Sequence, residues 1–382
     1  MGKMGRRWLA RSADPSTRAS RDQGSRHLNV VFIPDLRSIN PYQNLLAAAL
    51  ERQGISVRFP DQFGQRRPLL TALLSRQFDV LHLDWIHPYV VGDTYRRSVF
   101  RSTTFLLKVC LVRLLRRRII WTVHNLVSHE VRFRGWERRV NGLLARLAHG
   151  LVVHYPSAQE IVRKDFRVRS GKEVLVAFHG HYVGAYGDAN AIRSDMAPQE
   201  SPPRPLVFLA FGLVRRYKRL EELITAFKTI DRADVRLTIR GQALDVEYGE
   251  ELQRLAAEDD RIRLDLEFAD DEKVAAVFAA ADVVALTQTD MLTSGSLILA
   301  MSMGMPVVAA RGPHAEFLLD HGEEGGVLYT AGSVTELADA LQQMLDRRQE
   351  LPKMGLANKR KIAPYTWSAM AEEMERAYRG SD

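Results

Sequence analysis

From Leu28 onward, short apolar and β-branched runs alternate with longer stretches of helical period. Strands are predicted from Leu28 to Ile33, Ser56 to Phe59, Val80 to Leu83, Ile119 to Val123, Leu151 to His154 and Val174 to Ala177. Helices are predicted from Tyr42 to Gln53 and near Leu69 to Arg76, with further helical stretches between the later strands. This alternation implies parallel strands joined by right-handed crossovers, a doubly wound α/β domain.

The segment Met196 to Pro205, rich in proline and polar residues, interrupts the alternation and reads as a linker. The pattern then restarts, with strands from Leu206 to Phe211, Val235 to Arg240, Ile262 to Leu266, Val283 to Leu286 and Pro306 to Ala309. Helices from Leu220 to Ile230, up to Glu258, up to Ala280 and near Ser296 to Met303 separate them. Two more, around Val334 to Leu345 and Ser368 to Tyr378, close the chain. The organisation is therefore a leader over 1–26, an α/β domain over 27–197, a linker over 198–205 and a second α/β domain over 206–382, with the last helix able to return to the first domain. Ligands in such sheets sit outside the carboxyl ends of the strands, here in a cleft between the two domains.

A length of 382 residues suits two domains, and 46% hydrophobic with 26% charged residues is a globular mix. No apolar run is long enough to span a bilayer. The single cysteine, Cys110, excludes a disulfide framework and a cysteine-built zinc site, and points to a reducing, cytoplasmic setting. The leader is basic, lacks an apolar core, and reads as disordered rather than secretory. Lys and Arg number 54 against 46 Asp and Glu, a net charge of +8 that suits an anionic partner.

Position relative to the strands selects the candidate chemistry. After the strand ending at Phe211, Gly212 permits close backbone approach, while Arg215 and Lys218 can reach an anion above the following helix. Gly241, after the next strand, joins this donor-side set. Thr293, Ser294, Gly295 and Ser296 precede the apolar run from Leu297, where hydroxyls and free N–H groups suit a diphosphate; an ordinary helix cap is the plainer alternative. In the first domain, His124 ends a strand, and His129 and Glu130 follow on the loop as candidate base or sugar contacts. For His129 a structural hydrogen bond is an equal reading. His179, His181 and Tyr182 cluster after another strand, and the histidine spacing is not that of a metal site. The segment from Tyr95 to Arg118 mixes an apolar stretch with Arg96, Arg97, Arg101, Lys108, Arg113 and Arg116 to Arg118, a pattern that can dock on an anionic membrane. Nothing accompanying it marks nucleic-acid recognition.

The chain resembles the GT-B glycosyltransferases from His27 to its end, and among them the β-mannosyltransferases of xanthan-type exopolysaccharide assembly. The matching landmarks are Asn40-Pro41-Tyr42, Phe78 to Leu83, His124-Asn125-Leu126 with His129-Glu130, His179 to Tyr182, Phe211-Gly212-Leu213 with Arg215, Tyr217 and Lys218, and Ser294-Gly295-Ser296. Many retaining members carry paired glutamates before a Gly-x-Pro-Val segment; here Met291 and Leu299 hold those positions ahead of Gly304 to Val307. The departure agrees with an inverting transfer.

The resemblance implies a hexosyltransferase with no cofactor, moving mannose from GDP-mannose to a polyprenyl-diphosphate-linked glycan at the inner membrane face. Gly212, Arg215, Lys218, Gly241 and Thr293 to Ser296 would hold the nucleotide-sugar donor. Asn40, Tyr42, His129, His179, His181 and Tyr182 would hold the acceptor, with Glu130, His124 or Asp84 as base. A UDP-sugar transferase of the same fold is the first alternative, and a binding protein that has lost the chemistry is the non-enzymatic one.

Overall fold

The computed structural model describes residues 27–38, 40–59, 78–128, 133–195, 204–289, 292–319 and 324–380. The leader, the predicted helix near Leu69 to Arg76, most of the linker, His129, Glu130 and Met291 lie outside the described residues.

Two six-stranded, wholly parallel sheets form the chain. The first holds β1 (Asn29–Ile33), β2 (Ser56–Arg58), β3 (Val80–Leu83), β4 (Arg118–Thr122), β5 (Gly150–Val153) and β6 (Glu173–Val176). Its order is β2-β1-β3-β4-β5-β6, so the strand sequence reverses between β1 and β3. The second holds β7 (Leu206–Phe211), β8 (Val235–Arg240), β9 (Ile262–Asp265), β10 (Val283–Leu286), β11 (Val307–Ala310) and β12 (Gly326–Tyr329). Its order, β12-β11-β10-β7-β8-β9, reverses between β7 and β10, the strand order of a dinucleotide-type Rossmann sheet.

β3, β5, β10, β11 and β12 are buried along their whole length, which explains why they read as continuous apolar runs rather than alternating ones. β8, by contrast, alternates buried and half-buried positions.

Several helices tie the halves together. The helix Ala189–Asp195 lies against Asp271–Ala279 of the second domain, and the Arg193 guanidinium donates to the carbonyls of Phe278 and Ala279. The last helix, Trp367–Arg379, returns to the first domain and packs on Tyr42–Arg52. Arg118 donates to the Ala377 carbonyl at 2.7 Å, and the Tyr378 hydroxyl meets His82 Nδ1 at 2.7 Å. One apolar core runs through both domains, joining Ala177 and Tyr182 to Ile298, Met301 and Trp367.

The helices Ala189–Asp195, Pro313–Leu319 and Leu351–Ile362 and the strand β12 were not predicted from the sequence pattern.

Candidate active site

The reversal point of the second sheet carries the candidate donor-side residues Gly212 and Lys218. β7 ends at Phe211, and Gly212 follows with φ 97°, a left-handed conformation that a side chain would strain. The chain then makes a 3₁₀ turn over Arg216–Lys218, which folds Lys218 back over the strand end. Lys218 Nζ donates to the Phe211 carbonyl at 3.1 Å, and the side chain is only 7% exposed. Burial first, and the charge of Arg215 second, push its ammonium down to about 8. A pocket is lined here by Phe211, Gly212, Lys218, Leu286, Thr287 and Gln288, from the ends of β7 and β10.

The other cations of this run are differently engaged. Arg216 pairs with Asp245 at 2.9 Å and Glu251 at 3.0 Å, and Arg219 pairs with Glu222 at 2.5 Å. Among the described residues, Lys218 has no carboxylate partner. A buried ammonium with one protein acceptor is costly unless an anion joins it. Gly241, expected in the donor set, has a packing role as well: a Cβ there would overlap the Gly212 carbonyl oxygen.

The second candidate donor element is the helix Gly295–Ser302. Ser294 caps it, its Oγ accepting from Leu297 N at 3.2 Å and from Gln288 Nε2 at 3.1 Å. The Ser294 backbone N–H donates to His314 Nδ1 at 3.1 Å. The Thr293 hydroxyl is buried with no partner among the described residues. The cap and the free first-turn N–H groups together fit a negative charge.

Across the interface, the carboxyl ends of β3, β4, β5 and β6 deliver Asp84, His124, His154 and His179 to one buried cluster. Asp84 Oδ1 lies 3.2 Å from His124 Nε2, and Gln43 Nε2 donates to Asp84 Oδ2 at 2.7 Å. His124 Nδ1 lies 3.4 Å from His154 Nε2, and His154 Nδ1 donates to the Ala177 carbonyl at 2.8 Å. His82 bridges the Tyr378 hydroxyl and Thr122 Oγ1, at 2.7 and 2.8 Å. Trp85 stacks on His124 with ring centroids 3.8 Å apart, while Tyr42 stands edge-on to it at 5.0 Å.

Desolvation sets the proton balance of this cluster. It raises the Asp84 carboxyl, pushes His124 down to about 3 and His82 to about 4, and holds His154 and His179 well below the usual imidazole range. The imidazoles of His82, His154 and His179 are therefore neutral in the folded chain at neutral pH.

The remaining acceptor-side candidates divide. Tyr42 and Tyr182 border His179, with ring centroids 5.0 and 5.6 Å away. Asn40 Oδ1 accepts from Tyr42 N at 3.0 Å, a local turn that starts the helix. The backbone of His181 is held by Trp367 Nε1 and Tyr365, at 2.7 and 2.8 Å. A Cβ at Gly180 would overlap the Trp367 indole, so this glycine leaves room for that ring. Sequence reasoning missed His154, His314, Gln43 and Thr287. The first and last stand just past strand ends, where the same positional rule would have found them. His314 follows the Pro313 that opens an unpredicted helix. Among the described residues no group of His, Cys, Asp and Glu could hold a metal ion.

Comparison with known proteins agrees with this geometry. Residues 205–347 match the family Glycosyl transferases group 1. Over 90% of its length the chain is 27% identical to the GDP-mannose:glycolipid 4-beta-D-mannosyltransferase of Xanthomonas campestris pv. campestris, covering 90% of that protein. It is also 31% identical over 185 residues to a D-inositol 3-phosphate glycosyltransferase of Corynebacterium diphtheriae, covering 43% of it. Among solved structures, Anabaena HepE in complex with UDP and glucose superposes with a TM-score of 0.71 at 19% identity, covering 92% of this chain and all of that one. Sucrose-phosphate synthase of Thermosynechococcus elongatus gives the same TM-score at 16% identity, covering 93% of this chain and 98% of that one. The chain is a glycosyltransferase of the GT-B fold, and the stretch that matches the group 1 glycosyl transferases lies within its second half.

Proposed function

We propose that the chain transfers mannose from GDP-mannose to a lipid-linked glycan at a membrane surface, with inversion at the anomeric carbon. The observation that carries the donor half is Lys218, a buried ammonium without a carboxylate partner among the described residues, at the reversal point of the Rossmann-type sheet. The likeness to a GDP-mannose:glycolipid mannosyltransferase along nearly the whole chain supports the sugar and the acceptor class.

The chemistry follows from charge. The acceptor oxygen attacks the anomeric carbon as the bond to the diphosphate breaks, and the electron pair leaves with the diphosphate. Lys218, Arg215 and the N–H groups at the start of Gly295–Ser302 stabilise that charge in a water-poor site, where such donors act most strongly. The acceptor's proton passes to the first domain. There Asp84 and His124 are hydrogen-bonded to each other inside the fold, which suits them to positioning. Leu299, where retaining relatives carry a carboxylate, supports an inverting course.

The helix Tyr95–Leu114 supports membrane docking. Its inward face is Ser98, Ser102, Phe105, Val109 and Val112, buried against the first sheet. Its outward stripe is also apolar, with Phe100 72%, Leu107 65% and Leu114 79% exposed. Exposed Arg96, Arg97, Arg101, Arg113 and Arg116 flank it. An apolar stripe bordered by cations fits the headgroup plane of an anionic bilayer. Among the described residues no helix is long and apolar enough to cross a membrane.

A UDP-sugar donor is the second reading, favoured by the UDP held in the structurally similar Anabaena protein. Incubation with radiolabelled GDP-mannose, UDP-glucose or UDP-glucuronate and a polyprenyl-diphosphate-linked glycan separates them. Label passing into the organic phase from GDP-mannose alone is the expected result, and label from a UDP-sugar alone would replace mannose.

A further inference from the structure

We propose that His179 takes the proton from the attacking hydroxyl of the acceptor, with His314 opposite it as the hydrogen-bond donor that orients that hydroxyl. This rests on the sugar-transfer reading above and names the groups that carry its proton step.

The hydrogen-bond partners of the buried imidazoles single out two of them. His82 has both nitrogens engaged, by the Tyr378 and Thr122 hydroxyls. His154 Nδ1 donates to the Ala177 carbonyl, so its neutral ring offers a lone pair at Nε2, which accepts from His124 Nδ1. His124 Nε2 then faces Asp84 Oδ1 at 3.2 Å, where two lone pairs would repel unless one proton lies between them. Asp84 and His124 thus hold one shared proton, and neither nitrogen of His124 is open to a substrate. His124 and Asp84, both candidate bases by sequence position, are positioning residues in this arrangement.

His179 and His314 differ from the other three. His179 Nδ1 donates to the Gly180 carbonyl at 2.7 Å, which leaves a lone pair on Nε2 with no partner among the described residues. His314 Nδ1 accepts from the Ser294 N–H at 3.1 Å, which places its hydrogen on Nε2, again without a partner among the described residues. Both residues line one cavity, to which the first domain contributes His154, Phe178 and His179 and the second contributes Ile298, His314 and Phe317. The cavity has room for a single water-sized group. Of the residues lining the cavity, His179 thus has a free acceptor nitrogen and His314 a free donor, the complement of a hydroxyl, which both donates and accepts.

The position suits the reaction. His314 is bonded to the residue that caps the donor-side helix, so a hydroxyl held there lies beside the departing diphosphate. In the step, the O–H bond breaks as the new C–O bond forms, the proton moves to His179 Nε2, and the anomeric C–O bond releases its electron pair to the diphosphate. The negative charge of the leaving group stabilises the new imidazolium. The Phe178 and Phe317 rings keep the cavity apolar.

The test uses His179→Asn, which retains an amide N–H near the Nδ1 position for the Gly180 carbonyl and removes the basic nitrogen. Single-turnover transfer from GDP-mannose to a phytanyl-diphosphate-linked glucoside should fall about 10²–10⁴-fold, with GDP affinity unchanged. Transfer to the counterpart acceptor bearing a thiol at the accepting position, which ionises without help, should fall far less. Hydroxyl transfer within about threefold of the unmodified chain, or equal losses with both acceptors, would overturn the base. Collapse of transfer in Glu130→Gln beside near-normal His179→Asn would overturn it equally. Should His179→Asn fail to fold, ¹⁵N NMR of the unmodified chain decides: His179 protonated at Nδ1 and His314 at Nε2 is the expected pattern, and the reverse at His179 contradicts the proposal. An unmodified chain that transfers sugar from no donor refutes the transfer reading itself, whereas transfer that is indifferent to His179 removes this residue alone.

Discussion

Lys218 Nζ sits 3.1 Å from the Phe211 carbonyl, folded back across Gly212 at the point where the second sheet reverses its strand order. Replacing Lys218 with Met keeps the buried stem and removes the charge. Loss of a charge-assisted contact of about 1.5–3 kcal/mol should weaken nucleotide-diphosphate binding roughly 10- to 100-fold. The pH dependence has a defined sign. Burial holds the ammonium down to about 8, so the free site is charged below that pH and neutral above it. Since a diphosphate binds the charged form, calorimetry should show level affinity up to about pH 7.5 and a decline of about tenfold per unit above 8. Affinity that rises with pH would place the diphosphate elsewhere.

Gly241 has φ 148°, and a Cβ there would overlap the Gly212 carbonyl. An added methyl at Gly241→Ala must displace the β7 end, with an overpacking cost of about 1–3 kcal/mol. The variant should show a lower urea midpoint and weaker donor binding together, because the same peptide is moved. Gly295→Ala, where an added Cβ would meet no atom within 4 Å, is the contrasting substitution and should leave the midpoint nearly unchanged.

Acid should destabilise the fold well before its carboxylates titrate. His82 is pushed down to about 4 and His314 to about 3 by burial, and His154 and His179 lie well below the ordinary value. Between pH 6.5 and about 4 the unfolded chain binds protons at these sites that the native chain does not. Stability is therefore present above pH 6.5 and lost as pH falls, by up to about 1.4 kcal/mol per unit for each group. Urea midpoints should drop steadily from pH 7 to pH 5, and a level profile across that range would contradict the buried, neutral imidazoles.

The outward stripe of Tyr95–Leu114 is testable in two halves. Phe100→Ser with Leu107→Ser removes apolar area, while Arg96→Gln, Lys108→Gln and Arg116→Gln remove cations worth about 1 kcal/mol each near an anionic surface. Each set should lower cosedimentation with phosphatidylglycerol vesicles, and only the cation set should lower its salt dependence. Arg117 and Arg118 are unsuitable for this test, since they pair with Asp79 at 3.6 Å and Glu173 at 3.2 Å. Binding unchanged in both sets would end the docking role of this helix.

The strands and most helices were legible because the period and the punctuation agree: Val80–Leu83, Leu206–Phe211, Val235–Arg240 and Val283–Leu286 have the predicted bounds. β12 was missed because Gly326 starts it, a residue that reads as a turn; here a Cβ would strike the Val307 carbonyl of the neighbouring strand. The placement of Gly212 and Lys218 was legible from position alone, since a glycine and a lysine after that strand lie where the sheet reverses. The tautomer chain was not, because Asp84, His124, His154 and Ala177 come from four separate strand ends, and only their pairing order brings them into line. Nor could sequence tell that Arg216 and Arg219 are spent on local carboxylates while Lys218 turns inward.

The central claim is that the Gly212–Lys218 pocket holds the diphosphate of GDP-mannose. Isothermal calorimetry of the purified chain against GDP, GDP-mannose, UDP and UDP-glucose tests it most directly. Selective binding of GDP and GDP-mannose, weakened roughly 10- to 100-fold in Lys218→Met, is the predicted result. Binding of the UDP compounds alone would retain the pocket and discard mannose, and binding of none would contradict the account.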